Sequence, residues 1–413
     1  MRFDDKVVMF DFAGIPLVGC LPTGYVIGLS EQGAAVCTRM FEEDVPEQDV
    51  SAVDPALLEH LVKGGFFDHP LQDDKVVSAY LHVTQRCNLA CAGCYSLDAQ
   101  RNALADAPLD DVLHAVDELA QAGVARVIVS GGEPFLRDDL PDIVAHAKRA
   151  GIANVTVLSN GTCISDAALE RLAPHVDCVS VSFDGCSADA PAPIRGAQRF
   201  EELADAVRRV RKAGIPAHII PTAHAKNVGE LPEYVRLAED LGASLNFSLL
   251  SCEPEGELAS LLPGEEELRA LGRSLLTLGG GKPLSAMDAP VGVNLTVRNG
   301  CGAGFRTLSV AADGTVYPCH MLHRPEFAMG NAFTGLLADA LRSEVSRMFR
   351  DLDVQEYEGC SSCRYMRICG GGCRARSLFE SGNLKSKDSY CLMTQTFYDT
   401  LGQAMAASIK QRR

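Results

Sequence analysis

The sequence predicts an α/β fold built on a parallel sheet. Three observations predict it. Between residues 76 and 250, β-branched runs alternate with helix-length amphipathic stretches; each run ends in a small or polar loop; and 413 residues, 47% of them hydrophobic, suffice to bury a large core. VVSAYLHV (76 to 83) reads as the first strand, LDDVLHAVDELAQAG as a helix closed by Gly123, and ARVIVSGG as a strand running into Gly131 and Gly132. The alternation continues through LPDIVAHAKRAG (helix), NVTVLSNG (strand), DAALERLAPH (helix), DCVSVSFDG (strand) and FEELADAVRRVRKAG (helix). PAHIIPTA is the next strand, LPEYVRLAEDLG the next helix and SLNFSLL the last strand. Six β-then-α units imply parallel strands joined by right-handed crossovers, either in an open doubly wound sheet or in a barrel that falls short of eight units.

The flanks differ in texture. Residues 1–73 hold two short strand candidates, FAGIPLVG and GYVIGLS, and a helix candidate in VDPALLEHLVKGGFFD, which together make a small α+β unit of marginal size for independent stability. Residues 74–252 form the repeating α/β unit. Residues 253–298 are rich in Gly, Pro and Glu and carry one helix, EEELRALGRSLLTLG, as a bridging segment. Residues 299–413 form a cysteine-rich C-terminal unit. No internal repeat or low-complexity tract interrupts the chain.

Composition narrows the class. A net charge of −16 with no Lys/Arg run disfavours a nucleic-acid partner. The start MRFDDKVVMFDFAG lacks the features of a secretion signal, and no apolar stretch reaches spanning length, so the expectation is a cytoplasmic chain without a membrane partner. That compartment keeps thiols reduced. Sixteen cysteines there point to metal binding rather than disulfides. Six of them, Cys20, Cys37, Cys163, Cys178, Cys186 and Cys252, are scattered singly and read as packing residues.

In parallel α/β folds, chemistry gathers in the loops at the C-terminal strand ends. Cys87, Cys91 and Cys94 stand there, three thiols in eight positions after the first strand. SGGEP (130 to 134), SNG (159 to 161) and SFDG (182 to 185) occupy the matching places after the next three strands. Iron–sulfur cubanes are usually held by four thiolates, so a three-thiol loop leaves one iron open. The alternative is a partial zinc site or a loop of reactive thiols, although a structural zinc wants four ligands and only His82 lies close by in sequence.

Cys87-x3-Cys91-x2-Cys94 after a first strand, followed by GGEP, SNG and SFDG, resembles the radical S-adenosylmethionine superfamily over roughly residues 76 to 250. The resemblance implies a partial (β/α)6 TIM-type barrel and a [4Fe–4S] cluster whose open iron chelates S-adenosylmethionine. Reductive cleavage of the sulfonium C–S bond then gives a 5′-deoxyadenosyl radical. By the same analogy Gly131, Gly132, Glu133 and Pro134 face the methionine amino group, and Asn160 and Ser182 lie near the ribose or carboxylate. Arg195 is either the partner of that carboxylate or a surface cation. Many relatives place an aromatic residue before the third cysteine to touch adenine; here the position is Gly93, and Tyr95 is the candidate replacement.

Farther on, Cys301-x12-Gly314-x4-Cys319, then Cys360-x2-Cys363-x5-Cys369-x3-Cys373, then Cys391 resembles the seven-cysteine SPASM extension over about residues 299 to 395. That resemblance implies two auxiliary [4Fe–4S] clusters and hence three in all. Cys301, Cys319 and Cys373 would hold the first auxiliary cluster, and Cys360, Cys363, Cys369 and Cys391 the second. Two cubanes want eight thiolates and seven are present. Sulfatase-maturing relatives have a cysteine six residues before Cys301, where this chain has Leu295. The first auxiliary cluster therefore has an open or non-cysteine iron, or is completed by a distant residue such as Cys252.

Relatives with this extension mostly modify peptides, by thioether or carbon–carbon crosslinks or related changes, and a smaller group acts on tetrapyrroles or other small molecules. Residues 1–73 loosely resemble the PqqD-like leader-recognition domain, a winged-helix-like unit that adds a peptide at its sheet edge; the other reading is a structural cap. Formylglycine-forming relatives carry Asp directly after the cysteine of the YPC stretch. Here it is His320, which argues against sulfatase maturation and is either a proton acceptor or structural. The acidic surplus is compatible with a basic leader or core peptide. The expectation is an oxidoreductase of ribosomal-peptide (RiPP) biosynthesis, acting on a precursor peptide with a leader and served by a flavodoxin or ferredoxin. Tetrapyrrole modification is the alternative within the family, and a non-catalytic iron–sulfur or zinc scaffold the alternative outside it. No catalytic acid or base is identifiable from the sequence.

Overall fold

The computed structural model describes residues 1–68, 76–96, 101–195, 199–278 and 284–412. The expected boundary at 73/74 lies outside the described residues. Strands β1 (Val7–Phe12), β2 (Ile15–Cys20) and β3 (Tyr25–Gly28) form an antiparallel sheet in that order. Helices α1 (Glu31–Glu42), α2 (Glu47–Val53) and α3 (Pro55–Lys63) follow. The caps explain where they begin. The Ser30 hydroxyl accepts from the Gly33 N–H at the start of α1, and the Asp54 carboxylate accepts from Ala56 N–H ahead of Pro55 at the start of α3. Val18, Cys20, Val36, Cys37, Met40 and Leu61 close a core of their own, so Cys20 and Cys37 do pack as small hydrophobes. Strand β1 and helices α1 and α2 are additions to the sequence expectation.

The repeating region then builds β4 (Ser78–His82), α4 (Leu109–Gln121), β5 (Arg126–Ser130), α5 (Leu140–Arg149), β6 (Asn154–Ser159), α6 (Asp166–Leu172), β7 (Cys178–Phe183), α7 (Phe200–Lys212), β8 (Ala217–Ala223) and α8 (Leu231–Leu241). Strands β4 to β8 pair in parallel with their sequence neighbours. Val127, Val129, Val155, Val157, Val179 and Val181 are fully buried, as a sheet covered on both faces requires. The run SLNFSLL does not form one strand. It splits into β9 (Ser244–Leu245) and β10 (Ser248–Leu249), both on β8, because Phe247 turns to another partner: its N–H donates to Ser285 O and its carbonyl accepts from Met287 N–H.

Helix α9 (Glu265–Thr277) precedes a C-terminal unit of β11 (Thr307–Val310), β12 (Thr315–Tyr317), β13 (Gly330–Asn331), α10 (Leu337–Ala340), α11 (Glu344–Arg350), α12 (Met366–Cys369), α13 (Arg374–Ser381) and α14 (Cys391–Arg412). Strand β11 joins the large sheet, parallel to β4 from Thr307↔Ser78 to Val310↔Leu81. The order β10-β8-β7-β6-β5-β4-β11-β12-β13 runs from β4 to β8 without the reversal of a doubly wound sheet and has two ends. Of the two arrangements open to the sequence, it is the partial barrel, extended by the C-terminal unit. Among the described residues, no helix is long and apolar enough to cross a membrane.

The N-terminal sheet is fastened to this body. Phe12 packs on Tyr365 and Tyr398, Val297 N–H donates to Gly24 O, and Arg306 Nη2 donates to Pro22 O. Helices α9 and α14 meet at Gly272, where a Cβ would stand 2.4 Å from Met393 O. The obstacle is backbone and cannot rotate away. Gly272→Leu is therefore expected to destabilise the fold by about 1–3 kcal/mol, read as a lowered midpoint in thermal or urea unfolding.

Candidate functional site

The loop after β4 carries Cys87, Cys91 and Cys94 at the mouth of a cavity of about 160 Å³ between the strand ends. Close backbone approach holds that loop. A Cβ on Gly131 would fall 2.4 Å from Thr84 O, and one on Gly132 would fall 2.1 Å from Arg86 O. Only glycine permits the contacts that result, Gly132 N–H to Thr84 O and Glu133 N–H to Arg86 O, both 2.8 Å. Thr84 and Arg86 are further tied to Asp106, and Asn102 Oδ1 accepts from Cys87 N–H at 2.8 Å.

The thiols sit among donors. Asn160 Nδ2 and Leu89 N approach Cys87 Sγ at 3.8 and 3.5 Å, and Arg101 Nη2 approaches Cys94 Sγ at 3.8 Å. These are sulfurs that could hold iron. On the far wall, Asp184 Oδ2 accepts from the N–H groups of Ile194 and Arg195, both at 2.8 Å. This pins a half-buried Arg195, whose Nε and Nη1 are buried and have no hydrogen-bond partner among the described residues. A guanidinium left so beside a cavity fits an anionic group there, as the carboxylate of S-adenosylmethionine is.

The remaining expected contacts divide in two. Gly131, Gly132, Asn160, Ser182 and Arg195 line the cavity. Glu133 and Pro134 are buried, and neither is among the lining residues. The Glu133 carboxylate turns instead to Ser159 Oγ (2.8 Å), Asn160 N–H (2.7 Å) and Phe135 N–H (3.1 Å). Burial pushes that carboxyl up to about 7, and the three donors work against the rise. Its part is to join the loop after β5 to the loop after β6. Gly93 has φ +65°, and a Cβ there would lie 3.0 Å from Leu250 Cδ1, so Leu250 and its neighbour Leu258 fill the space of the missing aromatic. Tyr95 lines the cavity, but its ring packs edge-on against His320 and His82 while its hydroxyl meets Ser130 Oγ at 2.8 Å.

The C-terminal cysteines collect at two places. Cys360, Cys363, Cys369 and Cys391 ring one small enclosure together with Asp388. Cys301, Cys319 and Cys373 line a second cavity of about 300 Å³, which Cys369 also touches. Among the described residues, no three His, Cys, Asp or Glu side chains close on a single-ion centre. Thiols spread around a cavity suit a cluster held at its corners, and the residues present fit [4Fe–4S] groups. Cys252 lies elsewhere, packed near Cys91 and Gly93. Burial raises the Cys319 thiol and pushes Cys373 up to about 11 and Cys369 up to about 12, so iron uptake there releases protons.

Between the cofactor cavity and the auxiliary cavity stand His320, which the sequence singled out, and four residues that sequence reasoning missed. Tyr80, Met287, Asp288, His320 and Met321 line both. His320 stacks on Tyr80 with centroids 4.0 Å apart, and its Nε2 lies 3.7 Å from Asp288 Oδ2. Asp288 has φ +60°, a left-handed backbone unusual outside glycine, and follows directly on the Phe247 pairing at Met287. Burial lowers His320 and His82 and takes His323 down to about 4, so all three are neutral at pH 7. No signal in the sequence marks Asp288; its place comes from contacts across long separations, with Phe247 pairing at Met287 beside it and Arg376 donating to its carbonyl.

Comparison with known proteins agrees with this geometry. Residues 81–238 match the radical SAM superfamily, and residues 301–364 match the iron–sulfur cluster-binding domain SPASM. The mycofactocin maturase MftC of Mycolicibacterium smegmatis is 32% identical over 333 residues, covering 75% of this chain and 81% of that protein. The AdoMet-dependent heme synthase of Methanosarcina barkeri is 28% identical, covering 75% of this chain and 94% of that protein. SuiB of Streptococcus suis, solved bound to the precursor peptide SuiA, superposes with a TM-score of 0.63 at 15% identity, over 94% of this chain and 99% of that one.

Two outcomes follow from the site. Gly132→Ala must displace Arg86 and with it Cys87, so the reconstituted variant is expected to lose about four irons per chain while keeping the spectroscopic signals of the C-terminal cysteines. Arg195→Ala is expected to weaken S-adenosylmethionine binding by roughly 10- to 100-fold, the worth of one charged hydrogen-bonded contact, measured by equilibrium binding to the reconstituted protein.

Proposed function

This chain belongs to the radical S-adenosylmethionine superfamily and carries its SPASM extension, and on that premise we propose that it matures a ribosomally synthesised precursor peptide. It is a radical SAM enzyme of the SPASM class, and its cofactors are [4Fe–4S] clusters and S-adenosylmethionine. When bound, these groups supply a 5′-deoxyadenosyl radical that takes hydrogen from a substrate carbon. The cluster ligands are Cys87, Cys91 and Cys94 for the cleaving cluster, Cys301, Cys319 and Cys373 for the first auxiliary cluster, and Cys360, Cys363, Cys369 and Cys391 for the second.

The protein's part is to position the substrate and exclude water. Arg195 orients the carboxylate of the cofactor, Asn160 and Ser182 meet it from the loop after β6 and the end of β7, and Gly131 and Gly132 present backbone to it. The wall formed by Tyr80, Met287, Asp288, His320 and Met321 holds the substrate between the cofactor and the first auxiliary cluster.

The observation that carries the peptide reading is the N-terminal unit. It has three antiparallel strands, three helices and its own core, and β3 stands at one edge of the sheet, where an extended leader can add as a further strand. The similarity to MftC, a mycofactocin maturase by name, supports the same reading. A small-molecule substrate is the second reading, favoured by the similarity to the heme synthase. A flavodoxin or ferredoxin supplies the electron, and a cytoplasmic location accords with sixteen cysteines, none of them in a disulfide.

The test is anaerobic. The protein is reconstituted, its iron counted, and 5′-deoxyadenosine measured after dithionite and S-adenosylmethionine, with and without peptides encoded beside the gene. About twelve irons per chain and a peptide-dependent change of peptide mass are expected; cleavage without any change in peptide mass would turn the assignment to a small molecule. Ala at Cys87, Cys91 or Cys94 is expected to abolish 5′-deoxyadenosine. Cys369→Ala is expected to leave part of that cleavage and no product.

A further inference from the structure

The motif SFDG brings Ser182 to the cofactor cavity, but its Asp184 lies behind the wall, buried and not among the lining residues. One of its carboxylate oxygens is in use. Oδ2 accepts from the N–H groups of Ile194 and Arg195, and Ile194 O in turn accepts at 2.7 Å from the N–H of Ala92, which neighbours Cys91. The other oxygen, Oδ1, is buried and has no hydrogen-bond partner among the described residues.

His224 faces that oxygen. It follows directly on β8 and is fully buried, and its Nε2, which also has no hydrogen-bond partner among the described residues, lies 3.9 Å from Asp184 Oδ1. Lys226 N–H donates to Nδ1 at 3.2 Å, so the ring proton stands on Nε2, toward Asp184. The turn itself is held. His224 N–H donates to Asn227 Oδ1 and Ala225 N–H to Leu261 O, both at 2.8 Å. A buried donor and a buried acceptor without other partners are each other's complement, joined directly after a shift of about 1 Å or across one water. The same turn also reaches the next residue of the loop: Gly185 N–H donates to the Tyr234 hydroxyl at 3.2 Å, and Asn227 Nδ2 approaches that hydroxyl at 3.4 Å.

This contact decides where the Asp184 charge points. Asp184 already holds Arg195 by its main chain, while Nε and Nη1 of that guanidinium stay without a partner among the described residues. A carboxylate released from His224 has that cation to pair with, and the pair would leave nothing for an anion in the cavity. Moored to His224, it does not.

We propose that His224 is a positioning residue for the cofactor: through Asp184 it fixes the backbone of Arg195 and keeps the guanidinium for the carboxylate of S-adenosylmethionine. The proposal rests on the reading of Arg195 as the partner of that carboxylate and adds the residue that sets its place.

The readout is equilibrium binding of S-adenosylmethionine to the anaerobically reconstituted protein. Decarboxylated S-adenosylmethionine, which keeps the sulfonium and the amino group and lacks the carboxylate, is titrated alongside. His224→Leu fills similar space without a donor. It is expected to weaken S-adenosylmethionine by about tenfold, the worth of one buried hydrogen bond, and the decarboxylated compound by less than about twofold. His224→Gln returns an N–H and should recover most of the loss. Joined to Arg195→Ala, His224→Leu is expected to cause no loss beyond that of Arg195→Ala alone, because both remove the same contact. Where His224→Leu lowers the iron content, Asp184→Asn, whose amide turns N–H toward His224, is read in the same way.

An equal loss for both compounds, or a loss that adds to that of Arg195→Ala, overturns the proposal and leaves His224 a packing residue. So does unchanged binding in His224→Leu while Arg195→Ala weakens it. If Arg195→Ala itself binds S-adenosylmethionine as the parent does, the carboxylate reading of Arg195 falls and this proposal with it, which separates the two failures.

Discussion

The reactive end of the molecule depends on the immobility of β4. Its backbone is engaged on both edges, by β5 on one side and β11 on the other, and its continuation is held as well. Val83 N–H donates to Ser130 O, Val83 O accepts from Arg137 Nη1, and Thr84 O and Arg86 O accept from Gly132 and Glu133. A loop that must present three thiols to one cluster gains its geometry from this anchorage rather than from its own sequence, which is small and polar. The two glycines are what allow the second strand to come that close.

The same strand sets the distance between cofactor and auxiliary site. Tyr80 and His82 meet His320 and His323 of the C-terminal unit because β11 has taken the free edge of β4. Strand β12 pairs with β11 and ends at Tyr317, so Cys319, just past that end, is carried in with it. The auxiliary sites are tied to each other by a fully buried ion pair. Asp388 accepts from Arg376 Nε and Nη2 and from the N–H of Cys373, and Arg376 also donates to Asp288 O. Burial acts to raise the Asp388 carboxyl, but Arg376 outweighs it and holds the group below its usual range. An ion pair in such surroundings contributes less to stability than to placing its neighbours. Here those neighbours are Cys373, the enclosure ringed by Cys360, Cys363, Cys369 and Cys391, and the backbone of Asp288.

Local charge and net charge answer different questions. The surplus of acid is a property of the whole chain and is unfavourable to a phosphate backbone. The concavity beside the β2–β3 turn gathers Lys6 from one end of the chain with Arg298, Arg306 and Arg350 from far along it. No composition total reveals such a grouping.

Periodicity made the repeating unit legible: apolar spacing located α4 to α8 and the strands between them, because a half-buried helix and a doubly covered strand each impose a pattern on neighbouring residues. Cysteine spacing made two groupings of thiols legible for a related reason, since Cys87, Cys91 and Cys94, or Cys360, Cys363 and Cys369, each stand on one short stretch and must lie near each other wherever it goes. Contacts across long separations leave no such trace. The pairing of β11 with β4, the diversion of Phe247 that splits the last strand, the placement of Asp288 and the turning of Glu133 toward the loop after β6 each join segments that sequence distance keeps apart. The sequence by itself determined the α/β class, the strand-end loops and the thiols. Only the tertiary structure decided what faces them, because a side chain's surroundings are set by the segments that fold against it.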